Sequence, residues 1–168
     1  MNSKYLWIIA IFGMFFAACK QEKKEGQETV LEKTASNKPL LKDYMVGNWE
    51  TSYIKIEYPT YQKTDSTSVF EDDFSNENSG KAQSTYKDDG TFTAWFLQPD
   101  GTKVGKSGGN WKTKGDSLYV DYPYLGKTVQ AWYKITQTKT GFNGKAIYDW
   151  DNDGEFDDIL IMKSKKLK

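Results

Sequence analysis

The sequence predicts an all-β domain, a single antiparallel up-and-down barrel of about eight strands that follows a signal segment and a polar tether. From Gly47 onward, short runs of β-branched and aromatic residues alternate with turn signals at regular spacing. No segment after the N-terminal region shows a helical period over a useful length. Because short strands joined by tight hairpins favour a meander, and closure removes exposed strand edges, a barrel is the expected architecture.

Composition divides the chain of 168 residues into three parts. Residues 1–18 contain an apolar run, residues 19–38 are polar and hold no aromatic residue, and residues 39–168 carry the strand pattern. A segment rich in Lys, Glu, Gln, Ser and Thr buries too little apolar surface to order itself, so 19–38 is predicted to be a tether. Residues 39–168 are enough for one hydrophobic core and predict one domain.

The N-terminal segment has the layout of an export signal. Lys4 precedes an apolar run over residues 5–16, and Ala17-Ala18 precedes Cys19, the single cysteine of the chain. The pattern resembles a bacterial lipoprotein signal, which is cut before a cysteine whose thiol receives a diacylglyceryl group. The run is too short for the roughly 20 apolar residues that span a bilayer. We therefore expect residues 1–18 to be a signal peptide and Cys19 to carry a lipid.

The predicted location is the cell envelope, with the outer membrane favoured. Residues 20–25 resemble the charged export tag of Bacteroidetes surface lipoproteins, although lysines are mixed with the acids. Both the periplasmic face and the cell surface therefore stay open. An ordinary secretory signal with an incidental cysteine is the alternative to a lipid anchor.

Composition also narrows the classes of function. The chain has 23 basic and 23 acidic residues, and all the basic ones are lysine. Arginine is the preferred reader of phosphate and of guanine edges, so its absence argues against a nucleic-acid partner. The chain has no histidine, and its one cysteine is expected to be acylated, which removes the commonest general base and a thiol nucleophile. We expect a binding protein and not an enzyme.

The strand pattern can be followed along the chain. Residues 40–46 predict one short helical turn. Nine segments then have strand character, the second being the weakest: 48–58, 67–74, 82–87, 91–98, 103–112, 117–122, 127–137, 142–149 and 156–163. Turn signals such as Asp88-Asp89-Gly90 separate them. In the seventh segment, Val129, Ala131, Tyr133 and Ile135 share one face, while Trp132 lies on the more polar face.

Three motifs resemble those of lipocalins and their calycin relatives. Gly47-Asn48-Trp49 is similar to their glycine-x-tryptophan motif, and residues 87–92 and 109–118 are similar to hairpins of bacterial lipocalin-like domains, which often sit on lipoproteins. The resemblance implies that Gly47 and Trp49 form the barrel floor and that the interior binds a small apolar or amphipathic ligand. The signature arginine near the last lipocalin strand has no counterpart here, and Lys163 or Lys165 is the expected substitute.

Four aromatic residues are the candidate ligand-binding set: Trp95, Trp111, Trp132 and Tyr133. Aromatic rings suit flat apolar ligands and the faces of sugars, so a small apolar ligand and a glycan are both candidate partners. A barrel of eight strands has room for its own side chains or for one small ligand. A surface adhesion module and a structural accessory role with a filled barrel therefore stay open.

The segment 149–158 holds six carboxylates in ten residues and follows the Asp-x-Asp-x-Asp-Gly pattern of calcium loops. It also resembles the calcium hairpins of integrin-type β-propellers. Leu160 stands where an EF-hand needs a bidentate glutamate, so a weak hairpin site for Ca²⁺ is expected in place of an EF-hand. The alternative is a hairpin tip with solvated acids. The predicted ligands are Asp149, Asp151, Asp153, Glu155 and Asp157.

Overall fold

The computed structural model describes residues 38–76, 78, 80–124 and 126–168. The expected signal peptide, Cys19 and nearly all of the tether lie outside these residues. The described part contains the helix α1 Leu41–Met45 and nine strands. The strands are β1 Gly47–Tyr58, β2 Ser68–Asp72, β3 Lys81–Tyr86, β4 Thr91–Leu97, β5 Lys103–Lys114, β6 Ser117–Tyr124, β7 Lys127–Gln137, β8 Gly141–Tyr148 and β9 Asp158–Lys166. A search of the described residues found no helix with the length and apolarity that a membrane crossing requires.

Eight of these strands close into an antiparallel barrel. From β3 to β9, each strand pairs with the next along the chain, and β9 pairs with β1 between residues 49 and 57. The predicted up-and-down barrel of about eight strands is confirmed, as is the short helical turn before it. Closure gives the last strand a hydrogen-bonding partner where an open sheet would leave an exposed edge.

The weakest predicted strand, β2, is an addition to the barrel. β3 pairs with β1 at residues 47–50, whereas β2 pairs with β1 at residues 54–58. Because β9 occupies the opposite edge of β1, β2 and β3 must share the remaining edge. Both are antiparallel to β1, so β2 lies along the same edge of β1 as β3 and is separated from it by residues 73–80. Among the described residues, 51–53 have no ladder partner on that edge.

Alternation along the strands builds the core. In β7, Val129, Ala131, Tyr133 and Ile135 are all buried and the residues between them are exposed, so the predicted apolar face is confirmed. The closing seam carries a polar row on the opposite face of the sheet. Glu50 of β1 accepts a hydrogen bond from Gln83 Nε2 at 2.8 Å and pairs with Lys165 Nζ at 2.9 Å, which links β3, β1 and β9.

Trp49 joins the helix to the barrel. Its side chain is 1% exposed, and its Nε1 donates a hydrogen bond to the carbonyl oxygen of Met45 at 2.7 Å. The ring centroid lies 4.9 Å from that of Phe142 in an edge-to-face arrangement. Gly47 has φ of 129°, and a Cβ there would lie 3.1 Å from Lys166 Cε. A glycine is therefore needed for the chain to enter β1 at this point.

Lys166 takes the position over Trp49 that was expected for Lys163 or Lys165. Its Nζ lies 5.1 Å from the indole centroid and donates a hydrogen bond to the carbonyl oxygen of Tyr44. The reason is register, since Trp49 and Lys166 are cross-strand partners and their side chains share a face. Lys163 lies over Tyr53 instead.

Trp49→Ala is expected to lower the free energy of unfolding by about 3–5 kcal/mol, because it removes a large buried ring and leaves a cavity. The measurement is urea unfolding followed by circular dichroism. Trp132→Ala is the matched control, since that ring is 43% exposed, and a loss of about 1 kcal/mol or less is expected. Equal losses for the two variants would contradict the role given to Trp49.

Candidate ligand-binding cavity and acidic hairpin

The barrel contains a cavity of about 430 Å³. All nine strands contribute to its lining, which consists mainly of aliphatic and aromatic side chains with a few hydroxyl and amide groups. None of the described residues that line it carries a charge. The volume lies within the range of small-molecule sites, about 300–1,000 Å³.

The cavity is open to solvent on the side of β2 and the end of β4. Phe70 and Phe96 both line it, yet they are 48% and 41% exposed. Opposite Phe96, β5 carries one residue more than β4, and Gly105 at this bulge has φ of 60°. The bulge bends β5, and the absence of a side chain at Gly105 leaves space beside Phe96.

Three enclosed tyrosines supply polar groups to the lining: Tyr86, Tyr122 and Tyr133. Burial raises the pKa of Tyr122 to about 12. Burial raises the pKa of Tyr86 and Tyr133 further above the ordinary tyrosine value. These hydroxyls are therefore neutral at physiological pH, and each can donate or accept a hydrogen bond.

The structure separates the four aromatic residues that the sequence singled out. Tyr133 lines the cavity, and Trp95 borders it from the face of β4 opposite to Ala94 and Phe96, where its Nε1 donates to Gln83 Oε1 at 3.2 Å. Trp111 is buried elsewhere, where its Nε1 donates hydrogen bonds to the carbonyl oxygens of Lys87 and Thr91. Trp132 lies on the outer face, because residues alternate in β7 and Tyr133 points inward. Ligand binding by Trp95 and Tyr133 stays a prediction.

Most aromatic residues of the lining were not in the candidate set from the sequence, and Phe70, Phe96 and Trp150 are among those missed. The alternation of Phe92, Ala94 and Phe96 was a usable signal for Phe96, because the first two also line the cavity. Trp150 was hidden within the acidic motif. Its ring centroid lies 6.5 Å from that of Tyr133, which places Trp150 between the acidic hairpin and the cavity.

The acidic hairpin joins β8 to β9 and folds back on itself. Asp149, Asp151 and Asp158 each offer one carboxylate oxygen, and these three oxygens lie within 4.8 Å of one another. Asn152 and Gly154, with φ of 66° and 92°, provide the reversal. The backbone N–H groups of Trp150 and Asp151 both donate to Oδ2 of Asp158, at 2.6 and 3.1 Å.

Electrostatics within the hairpin centre on Asp158, which is 1% exposed. Burial raises its pKa above the ordinary aspartate value, and the two backbone hydrogen bonds oppose that shift. The nearby charges of Asp151 and Asp157 raise the pKa further. Its carboxylate is therefore held among like charges with little access to water.

The other three predicted metal ligands contact the loop that follows β1, as does Asp151, whose Oδ2 accepts a hydrogen bond from the backbone N–H of Gln62 at 2.8 Å. The hydroxyl of Thr60 donates to Glu155 and Asp157, and the backbone N–H of Lys63 donates to Asp153. The structure therefore brings Asp149 and Asp151 together with Asp158 and not with Asp157. The motif spacing selected Asp157, but β9 begins one residue later and carries Asp158 into the buried position.

Comparison with known proteins finds similarity to solved structures alone. No family model and no curated protein matches the chain. Among solved structures, the chain is similar to a lipocalin-like protein from Bacteroides uniformis ATCC 8492, with 15% identity and a TM-score of 0.42 over 73% of this chain and 98% of that one. The strand pairing itself shows the fold, an antiparallel up-and-down barrel of eight strands that closes through the pairing of β1 with β9.

The buried tyrosines predict a loss of stability at alkaline pH. Tyr122 titrates near 10 when unfolded and near 12 when folded, so its contribution is complete below pH 10 and is lost as the pH rises from about 10 to 12. Melting temperatures measured from pH 8 to 11.5 are expected to fall above pH 10. For Tyr122 the loss in free energy of unfolding is about 1.4 kcal/mol at pH 11. Tyr122→Phe should weaken this fall, whereas Tyr61→Phe, an exposed control, should leave it unchanged. Equal alkaline loss in Tyr122→Phe and the parent would contradict the assignment.

Proposed function

We propose that the protein binds a small, uncharged apolar or amphipathic molecule in the barrel cavity, as an envelope protein anchored through a lipid on Cys19. The single observation that supports this most is the cavity of about 430 Å³ without a charged side chain in its described lining. A binding or carrier role needs no catalytic group, in keeping with a chain that has no histidine.

The proposed mechanism is burial of apolar surface. Moving apolar area from water into the cavity contributes roughly 25 cal/mol per Å², and the neutral tyrosine hydroxyls orient a polar group of the ligand. A charged group would lose its hydration in this cavity without gaining a partner of opposite charge. The preferred ligand is therefore neutral.

The anchor is proposed from the N-terminal pattern. A lipid attached at Cys19 would hold the barrel at the outer membrane, on its periplasmic face or at the cell surface. Residues 20–38 would then separate the barrel from the bilayer and give the cavity mouth freedom to approach it.

A glycan-binding or adhesion role is the second candidate, and one observation favours it. Trp132 is 43% exposed on the outer face, with its ring centroid 5.1 Å from that of Tyr119. Lys112 Nζ lies 4.7 Å from the Tyr119 centroid. Exposed aromatic rings of this kind suit the faces of sugars. Loss of oligosaccharide binding in Trp132→Ala, with unchanged binding in the cavity, would favour this role.

The cavity proposal is tested with two dyes that differ by one sulfonate. N-phenyl-1-naphthylamine is neutral, and 8-anilinonaphthalene-1-sulfonate carries a negative charge. The full chain in lipid nanodiscs is titrated with each dye, tryptophan-to-dye energy transfer is measured, and protein-free nanodiscs are subtracted. We expect at least about tenfold tighter binding of the neutral dye, because the described lining offers the sulfonate no positive partner.

Ala94→Phe is expected to weaken binding of the neutral dye at least about tenfold, because the new ring occupies the cavity. Ile147→Phe is the control, since Ile147 is 59% exposed and does not line the cavity. Melting temperatures of both variants are measured to confirm folding. Unchanged affinity in a folded Ala94→Phe protein would exclude the cavity as the binding site.

The anchor proposal predicts that cells fed an alkyne-tagged fatty acid label the parent protein and that Cys19→Ser abolishes the label. Because no other cysteine exists in the chain, no second thiol can substitute. Membrane and soluble fractions are compared by gel after detection of the tag. Equal labelling of Cys19→Ser would contradict the lipid anchor.

A further inference from the structure

We propose that the acidic hairpin holds a calcium ion between the carboxylates of Asp149, Asp151 and Asp158. This site differs from the set that motif spacing selects, since it excludes Asp153, Glu155 and Asp157 and adds Asp158. It is also separate from binding of a molecule in the cavity.

The spacing of the three carboxylates fits one shared ion. Their oxygens lie within 4.8 Å of one another. Oxygen ligands stand about 2.3–2.6 Å from a calcium ion, so two ligands of one ion are separated by at most about 5 Å. Each ionised carboxylate has roughly four lone-pair sites. Asp149, Asp151 and Asp158 each accept two backbone hydrogen bonds, which leaves other sites for a metal.

The second observation is an unpartnered atom inside the cluster. Asp158 is 99% enclosed, as its exposed fraction is 1%, and its Oδ1 is buried without a hydrogen-bond partner. Oδ1 of neighbouring Asp157 is also buried and unpartnered. A buried carboxylate oxygen without a donor costs free energy, and a bound cation removes that cost.

No lysine of the described part neutralises the three carboxylates through an ion pair within 4.0 Å. Lys127 approaches the hairpin, but its Nζ donates to the backbone carbonyl oxygen of Asp149 and not to the side chain. Lys63 contacts the hairpin through its backbone N–H, which donates to Asp153, and its ammonium group lies beside Gly154 without forming an ion pair with the three carboxylates. The negative charge of the cluster therefore calls for a cation from solution.

The donor set selects the kind of cation. Carboxylate oxygens are hard ligands that suit calcium and magnesium, whereas zinc prefers the histidine and cysteine ligands that the site lacks. Magnesium demands near-ideal octahedral geometry and releases its waters reluctantly, whereas calcium accepts irregular arrangements of oxygen ligands. Three carboxylates on an irregular hairpin therefore favour calcium. With three carboxylates and the remaining positions left to water or backbone oxygens, we expect a dissociation constant on the order of 10⁻⁴–10⁻³ M.

Trp150 provides a reporter for the site. Its backbone N–H donates to Asp158, and its ring lies 5.1 Å from the Tyr148 ring, measured between centroids. Ion binding at Asp158 should therefore change the emission of Trp150.

The test uses the full chain, purified in detergent, stripped with EDTA and titrated with calcium chloride to 10 mM. We expect a rise in melting temperature on the order of a few degrees, heat in isothermal titration calorimetry and a change in tryptophan emission. Magnesium chloride at the same concentration should give a smaller shift. No dye is added, so failure here leaves the cavity proposal standing, and failure of the dye experiment leaves this one standing.

Asp158→Asn should abolish the calcium response while keeping an oxygen that accepts from the N–H groups of Trp150 and Asp151. Asp153→Asn is the matched control, because it makes the same chemical change in the same hairpin outside the three carboxylates, and it should respond like the parent. Asp151→Asn, which should also lose the response, is measured as a second variant in case Asp158→Asn does not fold. A parent protein without calcium response at 10 mM, or an equal response in a folded Asp158→Asn, would overturn the proposal.

Discussion

The pairing of β1 with β9 is the constraint on which the other features depend. It fixes Trp49 opposite Lys166, places Glu50 beside Lys165 in the polar row, and closes eight strands into a barrel. A closed barrel of eight strands encloses an interior, so alternate residues of each strand face either this interior or the solvent. Without this seam the same side chains would form one face of an open sheet, and no cavity would exist.

The positions of the strands and turns could be predicted because each is specified by residues that are close together in the sequence. Alternating apolar residues in β7 and the turn residues between strands specify which segments extend and which side chains share a face. What each strand pairs with is a different question. Nothing in the residues of β2 indicates that it shares an edge of β1 with β3, because pairing depends on contacts far apart in the sequence.

The candidate site was less predictable, since it depends on the register of single residues. Trp132 and Tyr133 are neighbours in sequence, yet one faces solvent and the other faces the cavity. Asp157 and Asp158 are also neighbours, and the point where β9 begins makes Asp158 the more enclosed of the two, since Asp158 is buried and Asp157 is half-buried. A shift of one residue exchanges the two faces of a strand, so a composition-based choice of aromatic or acidic residues selects members of both.

Besides the closing pair β1–β9, the barrel has a second special place, the break between β2 and β3 on the other edge of β1. Residues 51–53 of β1 have no ladder partner on this edge within the described part, so the hydrogen-bond ladder along this edge of β1 is interrupted between β3 and β2. Phe70, on β2, lines the cavity beside this gap. The cavity wall is therefore held together by fewer backbone hydrogen bonds at this place than along the continuous ladders that join β6 to β7 and β8 to β9.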